Sequence, residues 1–132
     1  MNKYNLSFGS LTVLDKCLAE LIINNEVVIT LEMVEELDVM LQSIFKHNFG
    51  LLANKLNTYS YTYEAKLVLG SIEHMKAIAS VYYTTQGREV SLDIVQKRNI
   101  DGLNVRVFSG FELGRQQALD WLTYELTKQK TT

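Results

Sequence analysis

The chain alternates short apolar runs with polar breaks, and the spacing inside each run predicts an element. From Leu6 to Leu14, the residues Phe8, Leu11 and Val13 stand among small polar residues, which predicts a first strand. Leu18 to Ile23 is a second apolar run of strand length. The polar pair Asp15-Lys16 between them predicts a hairpin, and Asn24-Asn25 a turn. Thr30 has the hydroxyl of a helix N-cap, and Glu32, Glu35 and Glu36 suit the positive end of a helix. Val34, Leu37, Leu41, Ile44 and Phe45 then fall on one side at helical spacing, so a helix is expected from Leu31 to about Lys46, with the acids on its solvated face.

Phe49 to Leu56 reads as a strand that runs into NKLNTYSYTY, where Tyr59, Tyr61 and Tyr63 occupy every second position. Glu64 to His74 carries Ala65, Leu67, Val68, Leu69 and Ile72 and predicts a short helix. Lys76 to Tyr83 predicts a central strand, apolar at most positions. In the next segment Val90, Leu92 and Ile94 alternate as in a strand, while Leu92 and Val95 fit a helix face. Topology decides between them. Val105 to Phe108 is a strand, and a parallel return to it from the preceding strand needs a crossover of about a dozen residues, usually helical. A helix is therefore expected over Arg88 to Asn99. A last helix runs from Glu112 to Lys128, with Ala118, Trp121, Leu122 and Leu126 as its buried stripe. The fold class is α/β: a mixed sheet with an opening hairpin, then alternating helices and largely parallel strands.

With 132 residues, 47% of them apolar and 21% charged, the chain makes one domain, 1–132, with enough material for a core. Proline is absent, which argues against extended linkers. The net charge of -2 comes with scattered Lys and Arg. A nucleic-acid binder would show a basic stripe to neutralise phosphates, so no nucleic-acid partner is expected. The single cysteine, Cys17, reads as a small thiol packed among apolar neighbours. The opening MNKYNLSFGS lacks a signal-peptide apolar stretch, and no run reaches the ~18 apolar residues of a membrane span. A cytoplasmic location without a stable membrane span is expected.

No motif of strong catalytic specificity is present. His47 and His74 have no ligand-spaced partners, so no metal is expected, and His47 suits a helix C-terminus. Gly110-Phe111-Glu112-Leu113-Gly114 lacks the lysine and glycine spacing of a phosphate cradle and reads as a strand-to-helix connection. No GxSxG elbow occurs. Tyr59, Lys55 and Glu64 could serve proton transfer, but nothing in the sequence brings them together. No cofactor and no enzymatic activity are expected.

Ligands of open α/β sheets bind at the carboxyl ends of the strands. That rule places Asn57, Tyr59, Ser60 and Tyr61, which follow one strand, on the same rim as Tyr82 and Thr84, which close another. Aromatic bodies with polar tips suit an interface. The bland alternative is that these tyrosines cover the core and point their hydroxyls outward.

The order of elements, together with the tail NVRVFSGFELGRQQALDWL, resembles the STAS domain, the sulfate-transporter and anti-sigma-factor-antagonist fold, and its SEC14-like relatives. The strand ending at Phe108 and the helix bearing Ala118-Leu119-Asp120-Trp121-Leu122 are similar to the ending of small bacterial STAS-like proteins. NKLNTYSYTY is similar to an Asn-Arg-x-Asn-x-Tyr-Ser pattern in some of them, with Lys55 where arginine is common. The resemblance implies a regulatory module that binds a protein partner, with Ser60 and Thr58 as the hydroxyls in the place of a phosphorylated serine. The Asp-Ser-Ser-Gly pattern of the partner-switching members is missing. SEC14-like relatives imply instead a small molecule or lipid at the same rim. Exposed strands and aromatic surface also admit a homodimer.

Overall fold

The computed structural model describes residues 2–98, 104–111 and 113–130. Its first strand is two strands. β1 (Lys3–Leu6) and β2 (Gly9–Asp15) form a hairpin in which Leu6 faces Gly9 across Ser7-Phe8. Phe8 is buried at the turn itself, so the apolar pattern continues through a point where the backbone reverses. The turn is held from a distance. The Ser7 amide and hydroxyl donate to the Glu36 carboxylate at 2.7 and 2.5 Å, so one of the acids expected on a solvated face anchors the hairpin.

β3 (Leu18–Ile23) returns antiparallel to β2, and β4 (Val28–Ile29) is a two-residue strand just before the first helix. α1 (Leu31–Ile44) starts as its sequence dictates: the Thr30 hydroxyl accepts from the Met33 amide at 3.3 Å. Val34, Leu37 and Leu41 are its buried stripe. It stops two residues short of Lys46, because Phe45 turns into the core and stacks on Phe49 with ring centroids 4.6 Å apart. β5 (Phe49–Lys55) is buried at every position.

β6 (Ser60–Tyr61) pairs in parallel with β4, forming a second, two-stranded sheet that the spacing of apolar residues does not announce. α2 (Tyr63–Val68) is capped by Thr62, whose hydroxyl accepts from the Ala65 amide at 3.2 Å. It is shorter than the 64–74 expected: a 3-10 turn, Leu69–Ser71, ends it before β7 (Met75–Tyr82). α3 (Thr85–Arg98) begins three residues earlier than expected, and the expected end at Asn99 lies outside the described residues. β8 (Val105–Ser109) and α4 (Gly114–Lys130) complete the chain, and the expected start of α4 at Glu112 lies outside the described residues.

The main sheet has the order β1-β2-β3-β5-β7-β8. β3, β5, β7 and β8 are parallel, and β1 and β2 form the antiparallel margin. Each parallel strand is added on the same side of the one before, so crossovers of one hand place their helices on one face. Val34, Leu37 and Leu41 of α1, with Ala65 of α2 and the adjoining Leu69, pack there against Leu21, Leu51 and Ile78. Among the described elements α4 alone covers the other face, setting Ala118, Leu122 and Leu126 against Leu18, Leu52, Ala77, Ala79 and Val81. Small residues allow this close approach. A Cβ added at Gly50 would stand 3.1 Å from Leu122 and 3.3 Å from Leu18. The α/β class and the hairpin-then-parallel sheet agree with the sequence reading.

Candidate functional site

Because β3, β5, β7 and β8 run parallel, the segments that follow them share one rim. The β3 and β5 exits are stitched together by side-chain and backbone hydrogen bonds. The Asn57 side-chain amide donates to the Ile23 carbonyl at 2.9 Å, and the Thr58 amide donates to the Asn25 side chain at 3.0 Å. The Glu26 amide donates to the Thr58 carbonyl at 2.6 Å, and the Ser60 amide to the Val27 carbonyl at 3.1 Å. Asn57, expected as a ligand contact, thus spends its amide on the fold.

The tyrosine alternation resolves into a gradient. Tyr59 is buried, Tyr61 is half-buried and Tyr63 is exposed, because the strand pairing ends at Tyr61 and Thr62 turns the chain into α2. Ser60 and Thr58 lie between them with exposed side chains. At the β7 exit Tyr82 is half-buried. Thr84 is exposed and caps α3: its hydroxyl accepts from the Gly87 amide at 3.0 Å, and its carbonyl from the Arg88 amide at 3.0 Å.

The inward side of this rim holds a group that the sequence presents as a surface residue. Lys55, the last residue of β5, is only 5% exposed, and its ammonium donates to the Tyr59 hydroxyl at 2.7 Å. The nitrogen also stands 4.0 Å from the centre of the Tyr59 ring and 5.4 Å from that of Tyr61. The two rings meet edge to face, 5.7 Å apart. Aromatic faces offset part of the lost hydration of a cation. No carboxylate of the described residues lies within ion-pair distance of it. Burial therefore dominates and lowers the Lys55 pKa to about 7. Burial likewise raises the Tyr59 phenol well above its ordinary value, with the neighbouring Tyr61 adding to the effect. It pushes Tyr61 up to about 12, although the Tyr59 hydroxyl acts in the opposite direction.

Beside Lys55, between the sheet and the helices, lies a cavity of about 30 Å³. Leu21, Ala53, Tyr61, Leu69, Ile78 and Val105 wall it, and Ser80 and Ser91 add hydroxyls. The two serines are 2.6 Å apart and Ser91 donates onward to the Gly87 carbonyl at 2.9 Å, which leaves Ser80 as the donor within the pair. The ion pair between Lys66 and Asp93 ties α2 to α3 at this layer.

On the opposite face of the sheet, Glu20 and Asn54 are buried and bonded at 2.7 Å, and Arg115 closes on Glu20. The Asn54 side-chain oxygen is a buried acceptor with no bonded partner.

Lys55 and its enclosure were not assigned a binding role from the sequence. The sequence signal for its enclosure is the pair of tyrosines four and six residues beyond it. Thr84 and Thr62, whose hydroxyls cap helices, carry a structural duty. Ser60 and Thr58 remain as exposed hydroxyls on the rim. No helix of the described residues is long and apolar enough to cross a membrane, and none of their His, Cys, Asp and Glu side chains form a group of three or more suited to a metal ion. No protein-family model, curated protein or solved structure matches the chain.

Proposed function

We propose that the chain is a non-enzymatic regulatory module of STAS-like type that docks a protein partner on the rim at the carboxyl ends of β3, β5 and β8. One observation carries this reading. Five large apolar side chains, Val28, Leu56, Tyr63, Phe111 and Leu113, are 51–79% exposed, and all lie in segments that follow those strand ends. Leu113 is held there at a φ of 56°, a left-handed conformation that a leucine adopts only at a cost. Its neighbour Phe111 is bonded back through its amide to the Ser109 hydroxyl at 3.4 Å. Exposed apolar groups along one rim suit a contact surface.

Ser60 and Thr58 sit among these groups with free access to solvent, so a phosphate on either would add about -1.5 to -2 charge to an apolar contact and oppose docking. The resemblance of the tail and of NKLNTYSYTY to STAS-like proteins agrees with a switchable contact. A lipid at the same rim has less support, because ligand pockets usually measure about 300–1,000 Å³ and the cavity behind this rim holds about 30 Å³.

The test is affinity capture from native lysate with wild type, Phe111→Ser, Leu113→Ser and Ser60→Asp. Val39→Ser is the control, since Val39 is 72% exposed on α1, away from the rim. A protein retained by wild type and by the control but lost with the rim variants supports the reading. A protein held equally by all five, or none held by wild type, refutes it.

A further inference from the structure

We propose that Lys55 is a nucleophilic amine that condenses reversibly with aldehydes of one or two carbons admitted to the cavity beside it. This site lies inside the molecule and is independent of what binds the exposed rim.

The geometry supplies each requirement of such a reaction. The amine is buried, is bonded to one neutral oxygen, and lies within ion-pair reach of no carboxylate of the described residues. With one N–H given to Tyr59, the neutral amine keeps a lone pair and a second N–H, and Lys55 is itself part of the cavity lining. A space of about 30 Å³ holds one or two water-sized molecules, which sets the upper size of the electrophile. Largely apolar walls from five strands and the 3-10 turn favour an uncharged adduct over a charged one. The ionisable groups facing the amine are Tyr59 and Tyr61, and both phenols are held protonated across the neutral range. The polar lining contributed by β7 and α3 is the hydroxyl pair Ser80 and Ser91.

The chemistry balances within the site. The neutral amine adds to the carbonyl carbon, and its proton passes to the carbonyl oxygen, giving a carbinolamine. Loss of the second amine proton with that hydroxyl releases one water and leaves the imine. The Tyr59 hydroxyl, 2.7 Å from the nitrogen, is placed to take and return the proton in both steps, so no external oxidant or reductant enters. A lysine with a pKa of about 7 is half neutral at pH 7, whereas an ordinary exposed lysine is neutral to only about one part in a thousand.

The experiment is competitive reductive methylation of the folded protein at pH 7 with limiting formaldehyde and cyanoborohydride, read lysine by lysine from peptide masses. Lys55 is expected to be methylated at least tenfold faster than Lys3, Lys16, Lys46 or Lys76, with a rate that levels off above pH 7 while theirs climbs to pH 10. Ala53→Val, which narrows the cavity but leaves Lys55 and Tyr59 in place, is expected to slow Lys55 at least fivefold and to leave the other lysines unchanged. Its fold is checked by circular dichroism. Wild-type Lys55 reacting no faster than the exposed lysines overturns the proposal, and so does a folded Ala53→Val protein with undiminished Lys55 labelling.

Discussion

Arg115, in the first turn of α4, grips Glu20 of β3 from 95 positions away: its Nε donates to one carboxylate oxygen at 3.1 Å and a terminal nitrogen to the other at 2.8 Å. Asn54 donates to the same carboxylate at 2.7 Å. Burial pushes the Glu20 pKa up, but the hydrogen bonds from Arg115 and Asn54 and the guanidinium charge outweigh it, so the group is held below its ordinary value. Stability from this cluster is present above the carboxylate's unfolded pKa and is lost as pH falls through the lower folded one. Arg115→Met strands a buried carboxylate. With the arginine side chain 42% exposed, the expected cost is about 2 kcal/mol rather than the larger figure of a sealed pair. Urea unfolding measures it, and adding Glu20→Gln to Arg115→Met should recover part of the loss by removing the stranded charge.

Lys55 makes stability climb with alkali. Its folded pKa is about 7 against an ordinary 10.5, so between these values the unfolded chain binds the extra proton and stability rises with pH. The span corresponds to at most roughly 4–5 kcal/mol. Above pH 10 the sign reverses, because unfolded tyrosines ionise while Tyr59 and Tyr61 keep their protons. Lys55→Met should remove the rising limb and be more stable than wild type at pH 6 by roughly 2 kcal/mol, after allowing for the unpaired Tyr59 hydroxyl. Thermal unfolding from pH 6 to 11 tests both limbs; parallel curves for the two proteins would contradict the assignment.

Neighbouring residues in the tyrosine stretch should respond in opposite ways. Tyr59→Ala removes a ring that is 6% exposed and should cost about 3 kcal/mol. Ser60→Asp, on the exposed side of β6, should stay within about 0.5 kcal/mol of wild type. Denaturant midpoints decide, and a large loss in Ser60→Asp would mean that its side chain is not free of the fold.

Leu113 offers a case where stability and docking part. Its φ of 56° and 79% exposure mean that Leu113→Gly removes backbone strain without removing buried surface. A gain of about 0.5–1 kcal/mol is expected, accompanied by weaker capture of a rim partner. Its neighbour Gly114 allows no such exchange, since a Cβ there would stand 1.5 Å from the Ser109 carbonyl oxygen.

The main elements were legible because their signals are local. Thr30 with the 34-37-41 stripe marks α1, and the largely apolar runs of β5 and β7 mark buried parallel strands. What escaped depends on distant partners. The break at Ser7-Phe8 is fixed by Glu36, 29 positions away, while Phe8 keeps the apolar rhythm intact. β4 and β6 exist only as each other's partner. Lys55 was unreadable as an interior group because lysine is ordinarily exposed, and only the returning tyrosines enclose it. The shared rim follows from the parallel order of the strands, whereas the inward turn of Tyr59 depends on its contact with Lys55 and is not carried by the alternation.

The division of labour between the two faces of the sheet sets the order in which surface disappears during synthesis. Helices α1, α2 and α3 leave the ribosome interleaved with the strands that they cover, so that face can close as it is made. The opposite face, with Leu18, Leu52, Ala77, Ala79 and Val81, has one cover among the described elements, α4, which emerges after the strands it packs on. Until α4 docks, the sheet presents one adhesive side. Chaperones that recognise apolar strands would therefore find a target on this protein until α4 docks.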